Sequence, residues 1–265
     1  MPSNVTFIVG NGLDISLKLE TSYRNFYEYV KRNSLHPDNS IYKAIEKEDP
    51  EYWADFELGL GRFTNKIENI TEKESAQWSL TLNDELDEIK KDLKNYIKEQ
   101  NDRADDHIPS IYFDKHSYYK GLETGQIANI RKQVETGGNP HMRFVTLNYT
   151  SVLEKIFPVT GRLITGKDYY ISSPIHHVHG SIDRRISLGV NDESQLSTYI
   201  DTEEKKYLIK PQLIRSMNDG RLETLSSYIT TSAVIVLFGV SLGATDRYIW
   251  EMVIDWMYSD PNRLL

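Results

Sequence analysis

Four apolar runs, each closed by a polar turn and separated by long stretches of chain, constrain the fold more than any other feature. They occupy residues 5–14 (VTFIVGNGLD), 144–149 (FVTLNY), 176–181 (HHVHGS) and 234–243 (VIVLFGVSLG). Short β-branched and aromatic runs closed by Gly or Asn read as strands buried on both faces, the condition of a parallel sheet. The carboxyl ends of such strands are where an open α/β sheet gathers its ligand-binding loops. The sequence therefore predicts an α/β fold in which polar residues from several strand ends make one site.

Between the first two runs the pattern changes. From Ile15 to about Pro140 no buried strand is evident, and apolar residues recur at helical spacing, as in Tyr23, Phe26, Tyr27, Val30 and in Ile89, Leu93, Tyr96, Ile97. Thr21-Ser22 supplies an N-cap for a helix over 23–31, and Pro50-Glu51 starts another that carries Trp53 and Glu57 at i, i+4. Gly137-Gly138-Asn139-Pro140 ends the helical stretch. Residues 1–14 and 141–265 are thus expected to form the sheet domain, with 15–140 a large helical insertion or cap after the first strand. That segment carries 24 acidic and 18 basic residues, so it holds most of the net charge of -8. In the second part the patterns predict a strand over 143–147 and a helix through Val152, Leu153, Ile156 and Phe157. A hairpin or short strands follow near 169–172, 176–178 and 186–190, then a helix over 222–230, a strand over 233–238 and an amphipathic helix over 244–257. Residues 260–265 have the character of a lead into one more strand.

A chain of 265 residues with 39% hydrophobic content can fill a sizeable core. It has no cysteine, which excludes disulfides and thiolate zinc sites and suits a reducing, cytoplasmic setting. The N-terminus lacks a basic leader, and no apolar run approaches the roughly 20 residues of a membrane helix. A pI of about 5.4 argues against broad binding to nucleic-acid backbones.

Gly10-Asn11-Gly12 follows a strand and opens a helix, so its amides can approach a phosphate or ribose. The same sequence also suits a tight turn with no ligand, and Asp14 a helix cap. The dinucleotide fingerprint is incomplete, because Ile15 stands at its third glycine. Gly239-x-Ser241-x-Gly243 fits a nucleophile elbow, but every histidine lies upstream of Ser241, whereas that fold needs one downstream. Residues 161–168 imitate a P-loop, with Asp168 in place of the magnesium-binding hydroxyl. In the His176-His177-Val178-His179 run, strand alternation sends His177 and His179 to one face with no carboxylate partner, which predicts no metal site. His179 closes a strand and, as a histidine, can titrate near neutrality as a general base must; the competing role is a buried histidine bonded to a carbonyl.

Taken in order, Gly10-Asn11-Gly12-Leu13-Asp14, Thr21-Ser22-Tyr23 with Phe26, Trp53 to Glu57, Leu147-Asn148-Tyr149-Thr150 with Leu153-Glu154, His179-Gly180 and Gly239-x-Ser241-Leu242-Gly243-x-x-Asp246 resemble the abortive-infection AbiH family of bacterial phage-defence proteins. That family is in turn similar to sirtuin-like NAD-hydrolase domains. The resemblance implies a Rossmann-like (sirtuin-like), mostly parallel sheet that binds NAD and hydrolyses it to ADP-ribose and nicotinamide in phage defence. NAD is then a substrate, and no metal is required.

The resemblance assigns catalysis to Asn148, which orients ribose hydroxyls or water, His179, which accepts a proton, and Asp14, which binds a ribose hydroxyl or polarises the water. It assigns the nucleotide to Gly10, Asn11, Gly12, Tyr149, Gly239, Ser241 and Asp246. One position departs from the pattern: Thr150 stands where sirtuin-like domains usually carry Asp, and a neutral hydroxyl supplies no charge beside an oxocarbenium ion. The alternative expectation is a non-catalytic nucleotide sensor or an interaction subunit of a defence complex. The partners implied are NAD or a related nucleotide, a phage protein as trigger and a second copy of the chain, with neither membrane nor nucleic acid.

Overall fold

The computed structural model describes residues 4–47, 56–66, 70–104, 122–135, 141–157, 170–171 and 174–265. Its sheet is built on β1 (Asn4–Val9), with β2 (His141–Thr146) on one side and β5 (Ser232–Phe238) on the other. The outer edge of β2 is shared: β3 (Tyr170–Ile171) pairs with its start and β4 (His176–His177) with its end. Every one of these pairings is parallel. Val5 to Val9 of β1 are all buried, as a strand covered on both faces requires. On one face Phe7 stacks on Phe144 with ring centroids 5.0 Å apart, within a core that includes Val5, Leu13 and Leu153. On the other, Ile8 and Val145 join Ile249, Val253 and Trp256.

Between β1 and β2 the described residues form six helices and no strand: α1 (Gly12–Ser16), α2 (Tyr23–Asn33), α3 (Ser40–Glu46), α4 (Phe56–Thr64), α5 (Glu72–Arg103) and α6 (Thr124–Glu135). Ser22 caps α2 by accepting from the Asn25 amide. Thr71 and Glu74 form a reciprocal capping box at the head of α5, which runs for 32 residues. Along α5, Leu82, Leu86, Ile89, Leu93, Tyr96 and Ile97 follow the helical repeat and face α2 and α3 across a core with Phe26, Ile41 and Tyr42. The same core takes in Ile186, Leu188, Val190, Leu196, Ile200, Leu208 and Ile209 from beyond β4.

After β2 come α7 (Val152–Ile156), α8 (Thr202–Leu208), α9 (Lys210–Ser216), α10 (Arg221–Thr230) and α11 (Arg247–Ser259). Of the hairpin or short strands expected near 169–172 and 176–178, the structure has the short strands, each of two residues and parallel to β2. It differs from the sequence reading in two places. Residues 186–190 are not a strand; Val190 makes only an isolated parallel bridge to Ile209. Two short helices, α8 and α9, occupy a stretch for which no element is predicted. Trp53, the Gly137 to Pro140 break and residues 161–168 lie outside the described residues. At the chain's end Leu264 bridges Val234 in parallel, its carbonyl accepting from the Ile235 amide at 3.0 Å. Among the described residues no helix is long and apolar enough to cross a membrane.

Candidate functional site

Three strand-end loops meet at the carboxyl edge of the sheet. The amide of Gly10 donates to Phe238 O at 2.9 Å and that of Gly12 to Gly239 O at 2.8 Å, which seats the loop after β1 on the loop after β5. Gly239 has φ 62°, and a Cβ on Gly12 would lie 2.5 Å from the Gly239 Cα. The glycines thus serve the contact of two backbones. The two amides that the sequence reading assigns to a nucleotide are engaged by this contact. Asn11 turns to Thr21, accepting from its hydroxyl at 2.5 Å and donating to its carbonyl at 3.1 Å. Ser241 is exposed, next to Leu242. The loops converge as expected, with the Asn11 side chain on Thr21, Asn148 buried against Asp14 and Ser241 exposed. A cavity of about 190 Å³ lies elsewhere, lined by Glu20, Tyr29, Arg32, Tyr96 and Arg103 among others.

What the convergence does build is a clamp on Asp14. This side chain, at 0% exposure in α1, accepts from Asn148 Nδ2 at 3.0 Å on one oxygen and from Thr150 Oγ1 at 2.9 Å on the other. Asn148 Nδ2 also donates to Gly10 O at 3.1 Å, so it ties the first two loops together. Burial pushes the Asp14 carboxyl up to about 6, against the hydrogen bonds from Thr150, Asn148 and Thr21. Asn148 Oδ1 is buried and makes no hydrogen bond. Behind the turn, His177 lies between Asn148 O, 3.1 Å from Nδ1, and Glu154 Oε1, 2.8 Å from Nε2.

A second polar cluster lies across the 147–150 turn. His179 Nε2 sits 3.1 Å from Tyr248 Oη and 3.2 Å from Asp246 Oδ1, and the ring is also bonded to the backbone of Leu147. Asp246 Oδ1 accepts from Lys210 Nζ at 2.7 Å, and Lys210 reaches Glu57 Oε2 at 2.6 Å. Glu57 Oε1 accepts from the Gly189 amide at 3.2 Å. Tyr149 packs beside His179 with centroids 6.5 Å apart, and its hydroxyl lies 3.5 Å from that of Tyr23. Gly180, at φ 87°, lets the chain turn where any Cβ would strike Arg185 O at 2.1 Å.

The electrostatics of this cluster follow from burial and one cation. Burial, with Lys210 next, lowers the His179 imidazolium from its usual range although Asp246 opposes it. Burial works to raise Asp246, but Lys210 and His179 outweigh it and hold that carboxylate well below its usual range. Glu57 is pushed up to about 7 by burial, with Lys210 pulling the other way. Burial would lower Lys210, yet Asp246 and Glu57 keep it above its ordinary value.

The structure therefore divides the predicted catalytic set. Asp14 and Asn148 are in contact; His179 belongs with Asp246, and Tyr149 flanks it. Strand alternation does not extend to His179, because β4 ends at His177 and the chain then turns. His177 consequently does find a carboxylate, Glu154, and His176 bonds Arg221 O at 2.8 Å. Among the described residues no three His, Asp or Glu side chains gather as a metal-holding group. Lys210 and Tyr248 were not singled out from the sequence. The signal for Lys210 is a lone cation in the run Tyr207-Leu208-Ile209-Lys210-Pro211-Gln212-Leu213-Ile214, where a charge on an otherwise apolar stretch implies a buried partner.

Compared with known proteins, the chain matches over residues 6–263 the family model described as "Bacteriophage abortive infection AbiH". Among curated proteins no match is found.

Proposed function

The chain belongs to the AbiH family of bacteriophage abortive-infection proteins, and from that premise we propose that it hydrolyses NAD to ADP-ribose and nicotinamide, with Asp14 as the central carboxylate. The observation that carries this reading is the clamp itself: a wholly buried carboxylate held by Asn148 and Thr150 where three strand-end loops meet. Breaking the bond between ribose and nicotinamide develops positive charge on the ribose, and a fixed anion in a dry site stabilises that charge. Asp14 supplies beside Thr150 the charge that Thr150 itself lacks. With its carboxyl near 6, Asp14 is mostly ionised at neutral pH and above.

The remaining roles follow from chemistry. The unbonded Asn148 Oδ1 is an acceptor for a ribose hydroxyl. Water adds to the ribose carbon while nicotinamide leaves with the bonding electron pair. The proton from water passes to a base, for which His179, whose ring burial and Lys210 favour in the neutral form, is the candidate. Because Asp14 is fully buried in the form described, the reading includes an opening step on infection, which spares the cell's NAD until then.

A second reading, a nucleotide sensor without turnover, is favoured by Thr150, whose neutral hydroxyl stands where sirtuin-like domains usually carry Asp. Mass spectrometry of NAD incubated with the protein, with and without infected-cell extract, decides between them. Triggered loss of NAD is expected, reduced by on the order of 10² to 10³ in Asp14→Asn. Binding without loss would favour the sensor; neither would remove both.

A further inference from the structure

We propose that Lys210 is a positioning residue: clamped between Glu57 and Asp246, it occupies the carboxylate that would otherwise hold a proton on His179, and so keeps that ring available as a base. The role as a base rests on the hydrolase reading; the effect on His179 does not.

The geometry is a competition between two nitrogens for one oxygen. Asp246 Oδ1 lies 2.7 Å from Lys210 Nζ and 3.2 Å from His179 Nε2. A carboxylate facing only His179 would stabilise the imidazolium, whereas one already neutralised by an ammonium does so weakly. Lys210 is only 1% exposed, and a buried charge is tolerated only when paired. Its second partner, Glu57, is anchored by the Gly189 amide, so the ammonium cannot swing away from Asp246 without stranding a buried carboxylate. Packing alone would be met at least as well by apolar side chains, because replacing buried ion pairs by hydrophobic residues is often neutral or stabilising. The other groups facing the cluster are the hydroxyls of Tyr149, Tyr248 and Tyr23, which burial holds in their neutral form. Among the described residues, Lys210 is therefore the one cation of the groups facing His179, and its removal leaves Asp246 to act on the imidazole alone.

The test is an NMR titration of the histidine Cε1–H signals of the full-length protein, with the His179 resonance assigned from His179→Gln. Lys210→Met should raise the His179 titration by on the order of 1 to 2 pH units, and Lys210→Arg should leave it near the wild-type position. The double variant Lys210→Met with Glu57→Gln should show the same rise, and it serves if the single variant does not fold, since it leaves no stranded charge on Glu57. The pH profile of triggered NAD loss should move its acidic limb upward by the same amount. An unchanged His179 titration in a folded variant lacking Lys210 would overturn the proposal even if NAD is hydrolysed. A shifted titration with no NAD loss in the wild type would uphold the effect on His179 while removing the hydrolase reading and the role as base.

Discussion

Burial makes ionising Asp14 costly, and this sets a pH window for stability. Burial pushes its folded carboxyl up to about 6 from the ordinary 3.8. Below the unfolded value both states are protonated and nothing is lost. Between about pH 4 and 6 the unfolded chain gives up its proton first, so stability falls as pH rises, by roughly 3 kcal/mol at most once pH exceeds the folded value. Asp14→Asn keeps the shape, and it retains both contacts if the Thr150 hydroxyl rotates to accept. The variant is therefore expected to be at least as stable as the wild type at pH 7.5, with the difference shrinking towards pH 4, while NAD loss collapses. Thermal unfolding at both pH values measures this; a variant less stable at pH 7.5 would show that the clamp needs the charge. Asp14, Asn148 and His179 stand out in the sequence because they close or follow apolar runs. The Lys210–Glu57 pair does not, since it joins residues 153 positions apart and no local spacing announces it.

Long elements with strong periodicity were readable, and short ones defined by distant partners were not. The repeat along α5 and the apolar run of β5 carry their own signal. By contrast the 186–190 stretch reads as a strand from its own residues, yet Val190 makes only an isolated bridge to Ile209. The glycines of the first loop are conspicuous in the sequence, but their use is decided by a loop more than two hundred residues away. Gly12→Ala should force the β1 and β5 loops apart and cost more than about 2 kcal/mol, because the obstruction is backbone rather than a flexible side chain. Gly59→Ala is the contrasting case: its Cβ would meet nothing within 4 Å inside α4, so about 0.5–1 kcal/mol of stabilisation is expected. Calorimetry on the two variants should move Tm in opposite directions, and an unaffected Gly12→Ala would mean that the loop contact yields easily.

For the molecule as a whole, α2 to α5 share their core with the 186–209 stretch. Removing residues 15–140 would leave Ile186, Leu188, Val190 and Leu208 without the α2 to α5 side of that core. A single cooperative transition is therefore expected in scanning calorimetry, whereas two resolved transitions would show that the helices fold alone. The same topology governs synthesis. β1, the middle strand, emerges from the ribosome early, yet the Asn4 side chain bonds Thr231, 227 residues downstream. At about 5 to 20 residues per second, β1 waits on the order of tens of seconds for its second neighbour. During that interval its apolar residues are a target for chaperones. Until then the clamp on Asp14 also lacks its seat on the β5 loop, since the Gly12 amide has no Gly239 carbonyl to meet.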